Sequence, residues 1–200
     1  MVGNIYLWGN VGSYVISYFH FKGDPRANDS LTISVIPISF AVQACFNPIG
    51  AYLQKRYNAK AILGIGGGIC ILAVYLATLA ESWEWFLFFY AGVFPIGIGL
   101  IYWTPIICAW EWFGDRKGLA TGLIIGGFGF GAFIFGFIST AIVNPDDESR
   151  STDPVSGNDY FSEEVANRVP RMYHECCLYW LCLLIIGIAL ISRNPEFTKQ

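Results

Sequence analysis

Long stretches without a charged residue alternate along this chain with short segments in which the charges collect. The first stretch reaches Phe21, and Lys22 is the first charged residue. A bilayer core of about 30 Å requires a helix of about 20 apolar residues. Stretches of this length predict an all-α integral membrane fold with six transmembrane helices, at residues 2–21, 31–53, 61–80, 85–110, 118–143 and about 176–192.

The composition argues against a soluble domain. The chain is 54% hydrophobic and only 14% charged, against roughly 25% charged in ordinary soluble domains. The first stretch does not resemble a signal peptide, because it lacks basic residues at its start and carries Asn10 and Ser13 in its middle. We therefore expect one six-helix transmembrane domain over residues 1–200, with a long polar loop at 144–174.

Lysine and arginine predict the orientation, because short cytoplasmic loops are enriched in both. The short loops on the opposite side carry only Lys22 and Arg26. Both ends of the chain are therefore expected on the cytoplasmic side, or on the matrix side of a mitochondrial membrane. The cations that predict this side are Lys55, Arg56, Lys60, Arg116, Lys117, Arg193 and Lys199.

The fifth predicted helix carries glycines at spacings of four. Residues four apart share a helix face, and small residues there let two helices approach closely in lipid. The pattern predicts close helix packing along this face. The glycines form two such series, one of Gly118, Gly122 and Gly126 and the other of Gly127 and Gly131.

Within the polar loop, residues 162–169 predict a short amphipathic helix. Ser162 is placed to cap it, and acidic residues in its first turn favour the helix dipole. Pro170 is expected to end it. Its apolar side is expected to face the membrane or a partner and consists of Val165, Ala166 and Val169. The acceptor pattern at 28–30, Asn-Asp-Ser, is interpreted as a helix cap rather than a glycosylation site.

Reactive and metal-binding side chains are sparse. The six cysteines lie in or beside apolar stretches and are interpreted as small buried hydrophobic residues. His174 lies close to Cys176 and Cys177, but this spacing matches no zinc pattern. The chain also lacks a phosphate-binding loop, a nucleophile triad and a paired-carboxylate arrangement. We expect no enzyme activity, cofactor, metal or nucleic-acid partner.

The segment that follows the fourth predicted helix resembles a family motif. It consists of Trp112-Phe113, the charged turn Asp115-Arg116-Lys117, and Gly118-Leu119-Ala120-Thr121-Gly122. This order is similar to the major facilitator superfamily, in its branch of oxalate:formate-antiporter-like and monocarboxylate-transporter-like proteins. The resemblance covers nearly the whole chain and corresponds to the amino-terminal six-helix half alone. It implies a secondary transporter whose substrate lies between two such halves.

The loop between the second and third predicted helices departs from the family pattern. The superfamily has an aspartate where this chain has Gln54, and a second glycine where it has Tyr57. The aspartate normally takes part in an ion-pair latch, and glutamine carries no charge for it. The resemblance nevertheless implies candidate gating residues in the two basic loops, namely Gly50, Gln54, Lys55, Arg56, Arg116 and Lys117.

The candidate substrate path is polar and uncharged. No lysine or arginine lies in the first stretch, and the first five stretches carry no charge well inside them. Intramembrane charges are the usual markers of ion pathways. The candidates that remain are Tyr6, Asn10 and Tyr14, which are spaced by four, together with Gln43 and Tyr102. Ordinary packing of polar side chains between helices is the alternative interpretation.

Two functions are compatible with these observations. In the first, the chain is half of a secondary transporter for small organic anions of the monocarboxylate or oxalate type, and a second six-helix half completes it. In the second, the chain is a transporter-derived structural subunit that moves nothing within a larger membrane complex, such as a mitochondrial inner-membrane assembly. Both place the chain in a lipid bilayer. The motif at 112–131 favours the first, and the uncharged cavity and altered latch favour the second.

Overall fold

A computed structural model describes residues 3–24, 26, 29–154 and 156–195, without the side chains of residues 4 and 29–31. Apart from one short hairpin, the regular structure in these residues is helical. The helices, numbered in chain order, are α1 (Asn4–Phe21), α2 (Asp29–Arg56), α3 (Ala59–Thr78), α4 (Trp83–Trp112), α5 (Lys117–Val143), α6 (Glu163–Asn167) and α7 (Val169–Leu190). The hairpin pairs β1 (Ser151–Thr152) with β2 (Asp159–Tyr160) in antiparallel fashion.

Hydropathy alone predicted most of the long helices well. The ends of α2, α3, α4 and α5 differ from the predicted ends by at most three residues. Among the described residues, five helices are long and apolar enough to cross a membrane, and α1 is not one of them. Polar residues such as Asn10 and Ser13 lower its hydropathy. The chain is a multi-pass membrane protein, and the span predicted at residues 2–21 stays a prediction.

The start of the last long helix corrects the prediction. The helix α7 begins at Val169 and not near residue 176, and Pro170 lies in its first turn. Proline is tolerated at that position because the first amide hydrogens of a helix have no partner within it. Pro170 therefore opens α7 and does not simply end the helix before it.

Helix α4 is not uniform. Its residues Phe88–Val93 form a π-helical segment, and a turn at Tyr102 separates Phe94–Ile101 from Trp103–Trp112. It lies against both α2 and α3, while α3 also packs against α7, and α1 packs against α5 and α6. The helix α4 is therefore central to the bundle.

The tightest helix contacts use glycines of α2, α3 and α4. A Cβ atom added at Gly50 would lie 2.5 Å from the carbonyl oxygen of Gly99 and 2.6 Å from that of Leu100. A Cβ added at Gly97 would lie 2.5 Å from the carbonyl oxygen of Gly66. Only a residue without a side chain permits such backbone approach. Gly50, predicted as part of a gating loop, is instead a packing position inside α2.

The predicted glycine packing on α5 is wrong within this chain. A Cβ added at any of these positions would meet no atom within 4 Å apart from the helix itself. Gly118, Gly122 and Gly126 are exposed. Gly127 and Gly131 instead line a cavity of about 230 Å³ together with residues of α3, α4 and α7. Successive residues of a helix lie about 100° apart, so the two series are on different sides of α5. We call the exposed surface of Gly118, Gly122 and Gly126 the glycine face.

The polar loop folds back onto α1. The hydroxyl of Ser17 accepts a hydrogen bond from the Phe161 backbone N–H at 3.0 Å. The rings of Tyr14 and Phe161 stack at 4.3 Å, and those of His20 and Tyr160 at 3.8 Å. The hairpin is therefore fixed to the half of α1 that lies nearer to Phe21.

Helix α6 confirms the predicted cap but not the predicted surface. The Ser162 side chain accepts a hydrogen bond from the Val165 N–H at 3.4 Å. The apolar residues Val165, Ala166 and Val169 are buried in the protein and do not face the membrane, because α6 packs against α1. The cap interpretation of the pattern at 28–30 rests on Asn28, which lies outside the described residues.

The cysteine prediction holds for four of the six residues. Cys70, Cys108, Cys176 and Cys177 are buried, whereas Cys45 and Cys182 are exposed on the outer surface. The exposed pair belongs to α2 and α7, whose outward faces are apolar as membrane-spanning helices require. Periodicity along one helix does not reveal which apolar face meets a neighbour.

Candidate functional site

A cavity of about 190 Å³ lies between α1, α2, α4 and α5. It brings together three of the five residues predicted for a substrate path, namely Tyr6, Gln43 and Tyr102. The rest of its lining is apolar or glycine, from Ile5, Phe40, Ile125, Phe128 and Gly129. We call this space the tyrosine cavity.

The described residues that line the tyrosine cavity offer hydrogen-bond donors and no charge. The two phenols and the Gln43 amide form no hydrogen bond within the described part of the chain, so their donors are available. Phe40 lies 5.8 Å from the Tyr6 ring, and Phe128 lies 5.8 Å from the Tyr102 ring, between ring centroids. A phenol O–H and an amide N–H can donate to a carboxylate oxygen. The cavity can therefore orient an anion but cannot neutralise it.

The other two predicted residues lie elsewhere. Tyr14 is buried in its stack with Phe161. Asn10 lies against α5, where a Cβ added at Gly136 would be 2.6 Å from the Asn10 Nδ2 atom. Each step of four residues turns a helix by about 400°, so the faces of successive residues drift by about 40°. Two steps carry Tyr14 away from the face on which Tyr6 lies.

The predicted gating residues divide by environment. Gln54 is buried, and neither its Oε1 nor its Nε2 atom has a hydrogen-bond partner among the described residues. Lys55 and Arg56 are exposed at the end of α2, and Arg116 and Lys117 are exposed at the start of α5. The structure therefore separates one buried amide from two exposed pairs of cations.

An ion pair that no sequence motif indicated lies beside Gln54. Arg193 donates from Nη2 to Glu111 Oε1 at 2.5 Å, and from Nε to the same oxygen at 2.9 Å. The Asn194 backbone N–H donates to Glu111 Oε2 at 3.2 Å, and Arg193 Nη1 donates to the Gln54 carbonyl oxygen at 3.4 Å. These hydrogen bonds fasten the end of α4 to the segment after α7.

The Glu111–Arg193 pair also shifts the pKa of Arg193. Hydrogen bonding to the Glu111 carboxylate raises the pKa of the Arg193 guanidinium above its ordinary value. No motif in the sequence relates the two residues, because 82 positions separate them. The available signal was a lone acid at the end of an apolar helix, where an unpaired carboxylate is unfavourable.

A multi-pass helical bundle with a polar cavity between its helices is typical of membrane transport proteins. The chain belongs to the major facilitator superfamily, since the model of that family matches residues 2–145. The predicted family is thereby confirmed. No solved structure shows a significant match to the chain.

Relatives of known name confirm the predicted branch of the family. The chain is 27% identical to Apicoplast pyruvate carrier 1 of Toxoplasma gondii, over 95% of this chain and 43% of the carrier. It is 32% identical to Monocarboxylate transporter 12 of Xenopus laevis, over 44% of this chain and 19% of the transporter. It is 27% identical to the Oxalate:formate antiporter of Oxalobacter formigenes, over 54% of this chain and 27% of the antiporter. The chain therefore spans less than half the length of these relatives.

Proposed function

We propose that this chain forms one half of a major-facilitator-type secondary transporter for small organic anions, of the monocarboxylate or oxalate type. The observation that carries the proposal is the convergence of Tyr6, Gln43 and Tyr102 on one cavity. The names of the relatives, which include pyruvate, monocarboxylate, oxalate and formate, support the substrate class.

The tyrosine cavity would supply the neutral part of an anion site. Hydrogen bonds to a charged group contribute about 1.5–3 kcal/mol each. Among the described residues, no charged side chain lines the cavity, so the cation that neutralises the carboxylate would come from a second half. Transporters with two such halves bind substrate near the membrane midplane between them.

The glycine face supports a contact with that second half. Its positions leave an added Cβ in open space, so another helix backbone could approach closely there. We expect Gly126→Leu to leave the stability of this chain alone unchanged and to weaken its association with the second half. The control is Leu123→Ala on the same helix. Leu123 is exposed, and this substitution removes bulk instead of adding it.

A second candidate function is a transporter-derived structural subunit. The uncharged lining of the tyrosine cavity favours it, because nothing in that lining neutralises an anion. In that case the chain copurifies with a larger membrane complex, and changes in the tyrosine cavity leave the assembly and activity of that complex untouched.

Uptake measurements test the transporter proposal. The chain is produced with its second half in cells that lack monocarboxylate uptake, and entry of labelled pyruvate, lactate, oxalate and formate is measured. Tyr6→Phe and Tyr102→Phe each remove one donor to a carboxylate, and we expect the apparent KM to rise about tenfold. The control is Tyr179→Phe, the same change at an exposed position on α7.

The outcomes separate the two functions. The chain alone should show no uptake, because alternating access requires one half to move against the other. Equal KM values for Tyr102→Phe and Tyr179→Phe, with uptake present, would remove the tyrosine cavity from the substrate path. No uptake by any combination, with recovery of the chain only in a large complex, would support the structural subunit.

A further inference from the structure

A second, basic cavity lies at the ends of three helices, away from the tyrosine cavity. It measures about 490 Å³ and is lined by residues 55–60, which join α2 to α3, and by residues 191–193, which follow α7. We call it the basic cavity. It lies on the side of the membrane that the positive-inside rule predicts to be cytoplasmic.

Cations dominate this lining. Lys55, Arg56 and Lys60 are exposed and form no ion pair within the described residues, while Arg193 is paired with Glu111. The Lys60 ammonium donates to the Ala189 carbonyl oxygen at 3.5 Å. Among the described residues, three positive charges therefore remain without an acidic partner around one concave surface. A phosphate group is the anion that such a set of donors binds well.

An apolar groove adjoins the basic cavity. It measures about 260 Å³ and is lined by Leu53, Tyr57, Ala61, Ile62, Ile65 and Leu100. Tyr57 lines both spaces. Ala61 and Ile65 lie one turn apart on α3 and are exposed, so the groove follows α3 away from the basic cavity and into the membrane-spanning region.

We propose that the basic cavity and the apolar groove together form a binding site for an anionic phospholipid. The phosphate of the headgroup would occupy the basic cavity, and one acyl chain would lie along the groove. Tyr57 would sit at the headgroup level, where amphipathic rings are favoured. Basic pockets between membrane helices bind anionic headgroups in this way. A soluble phosphate would fill the basic cavity alone and leave the groove without an occupant.

The other basic loop is a matched contrast. Arg116 and Lys117 carry the same number of charges as Lys55 and Arg56 and are predicted on the same side. They are exposed next to Asp115 and line neither the basic cavity nor the groove. Attraction of a negative membrane to positive loops in general would involve both pairs equally.

Native mass spectrometry of the purified chain, titrated with phosphatidylglycerol, tests the site. Each cation near an anionic surface contributes about 1 kcal/mol, or about fivefold in affinity. The double variant Lys55→Gln/Arg56→Gln should weaken binding by about 25-fold. The double variant Arg116→Gln/Lys117→Gln should stay within about twofold of the unchanged chain. If the first double variant does not fold, Lys55→Gln alone should weaken binding by about fivefold.

Two further measurements distinguish the lipid from a soluble anion. Ala61→Phe fills the groove, so it should weaken phosphatidylglycerol binding several-fold and leave the binding of glycerol phosphate unchanged. Glycerol phosphate itself should bind far more weakly than the lipid. The proposal is overturned if both basic pairs contribute equally, if phosphatidylcholine binds as tightly as phosphatidylglycerol, or if glycerol phosphate matches the lipid and Ala61→Phe has no effect.

Discussion

The helix contact at Gly50 can be tested by one added methyl group. In Gly50→Ala the new Cβ would lie 2.5 Å from the Gly99 carbonyl oxygen, 2.6 Å from that of Leu100 and 2.8 Å from the Leu100 Cα. All three are backbone atoms of α4, which cannot rotate away as a side chain can. The helices α2 and α4 must therefore separate, which weakens the dispersion contacts along their whole interface.

Gly126→Ala is the matched control, and its expected effect on the free energy of unfolding has the opposite sign. Overpacking of a tight contact costs about 1–3 kcal/mol, and three backbone contacts place Gly50→Ala at the upper end of that range. Replacing glycine by alanine in a helix returns about 1 kcal/mol, so the net loss for Gly50→Ala is about 2 kcal/mol. For Gly126→Ala nothing lies within 4 Å of the new atom. That variant should therefore gain about 0.5–1 kcal/mol.

Thermal unfolding in detergent measures both variants with a dye that fluoresces on reaction with thiols. The buried Cys70, Cys108, Cys176 and Cys177 become reactive only when the bundle opens, while the two exposed cysteines give a constant background. A loss of about 2 kcal/mol lowers the midpoint of a chain of this size by about 4–8 °C. Equal midpoints for Gly50→Ala and Gly126→Ala would refute the close contact between α2 and α4.

Three further predictions concern other parts of the chain. Ser162→Ala removes the cap of α6 and should lower the stability of that helix by about 1 kcal/mol. The loss should appear as faster hydrogen exchange of the Val165 amide. Glu111→Gln should cost about 2 kcal/mol in a denaturing-detergent titration, because it leaves a partly exposed guanidinium without its anion; Glu84→Gln, in an exposed ion pair, should change stability by less than about 1 kcal/mol. In a cysteine-free background, single cysteines at Lys60 and Ser151 should react with a membrane-impermeant reagent from opposite sides, and labelling of both from one side would contradict the predicted topology.

Hydropathy predicted the helices that consist of one apolar stretch. It failed at α7, because the first turns of that helix carry Pro170, Arg171, His174 and Glu175 and therefore resemble a polar loop. Those turns are helical because Met172 and Tyr173 are buried against the rest of the bundle. The start of the helix is therefore set by burial against other helices. A hydropathy average over neighbouring residues does not report such burial.

The glycines and the site show a different limit. Spacing along one helix identifies a smooth face but not whether a neighbour lies against it, so the glycine face was predicted to be packed and is open. The close contact that does form is between Gly50 of α2 and Gly99 of α4. No sequence pattern in either helix indicates that the two helices are neighbours. Tyr6, Gln43 and Tyr102 were predictable as polar residues in membrane-spanning segments. Their convergence on one cavity depends on how three helices are arranged.

Because the hairpin is attached to α1, the position of the hairpin reports the position of that helix. Two ring stacks and the Ser17 hydrogen bond join them, so α1 cannot tilt or rotate without carrying the hairpin with it. A spectroscopic label on the exposed Ser156, within the hairpin turn, would therefore follow the displacement of α1 from outside the bundle. It would do so without altering Tyr6 or any other residue of the cavity that α1 helps to form.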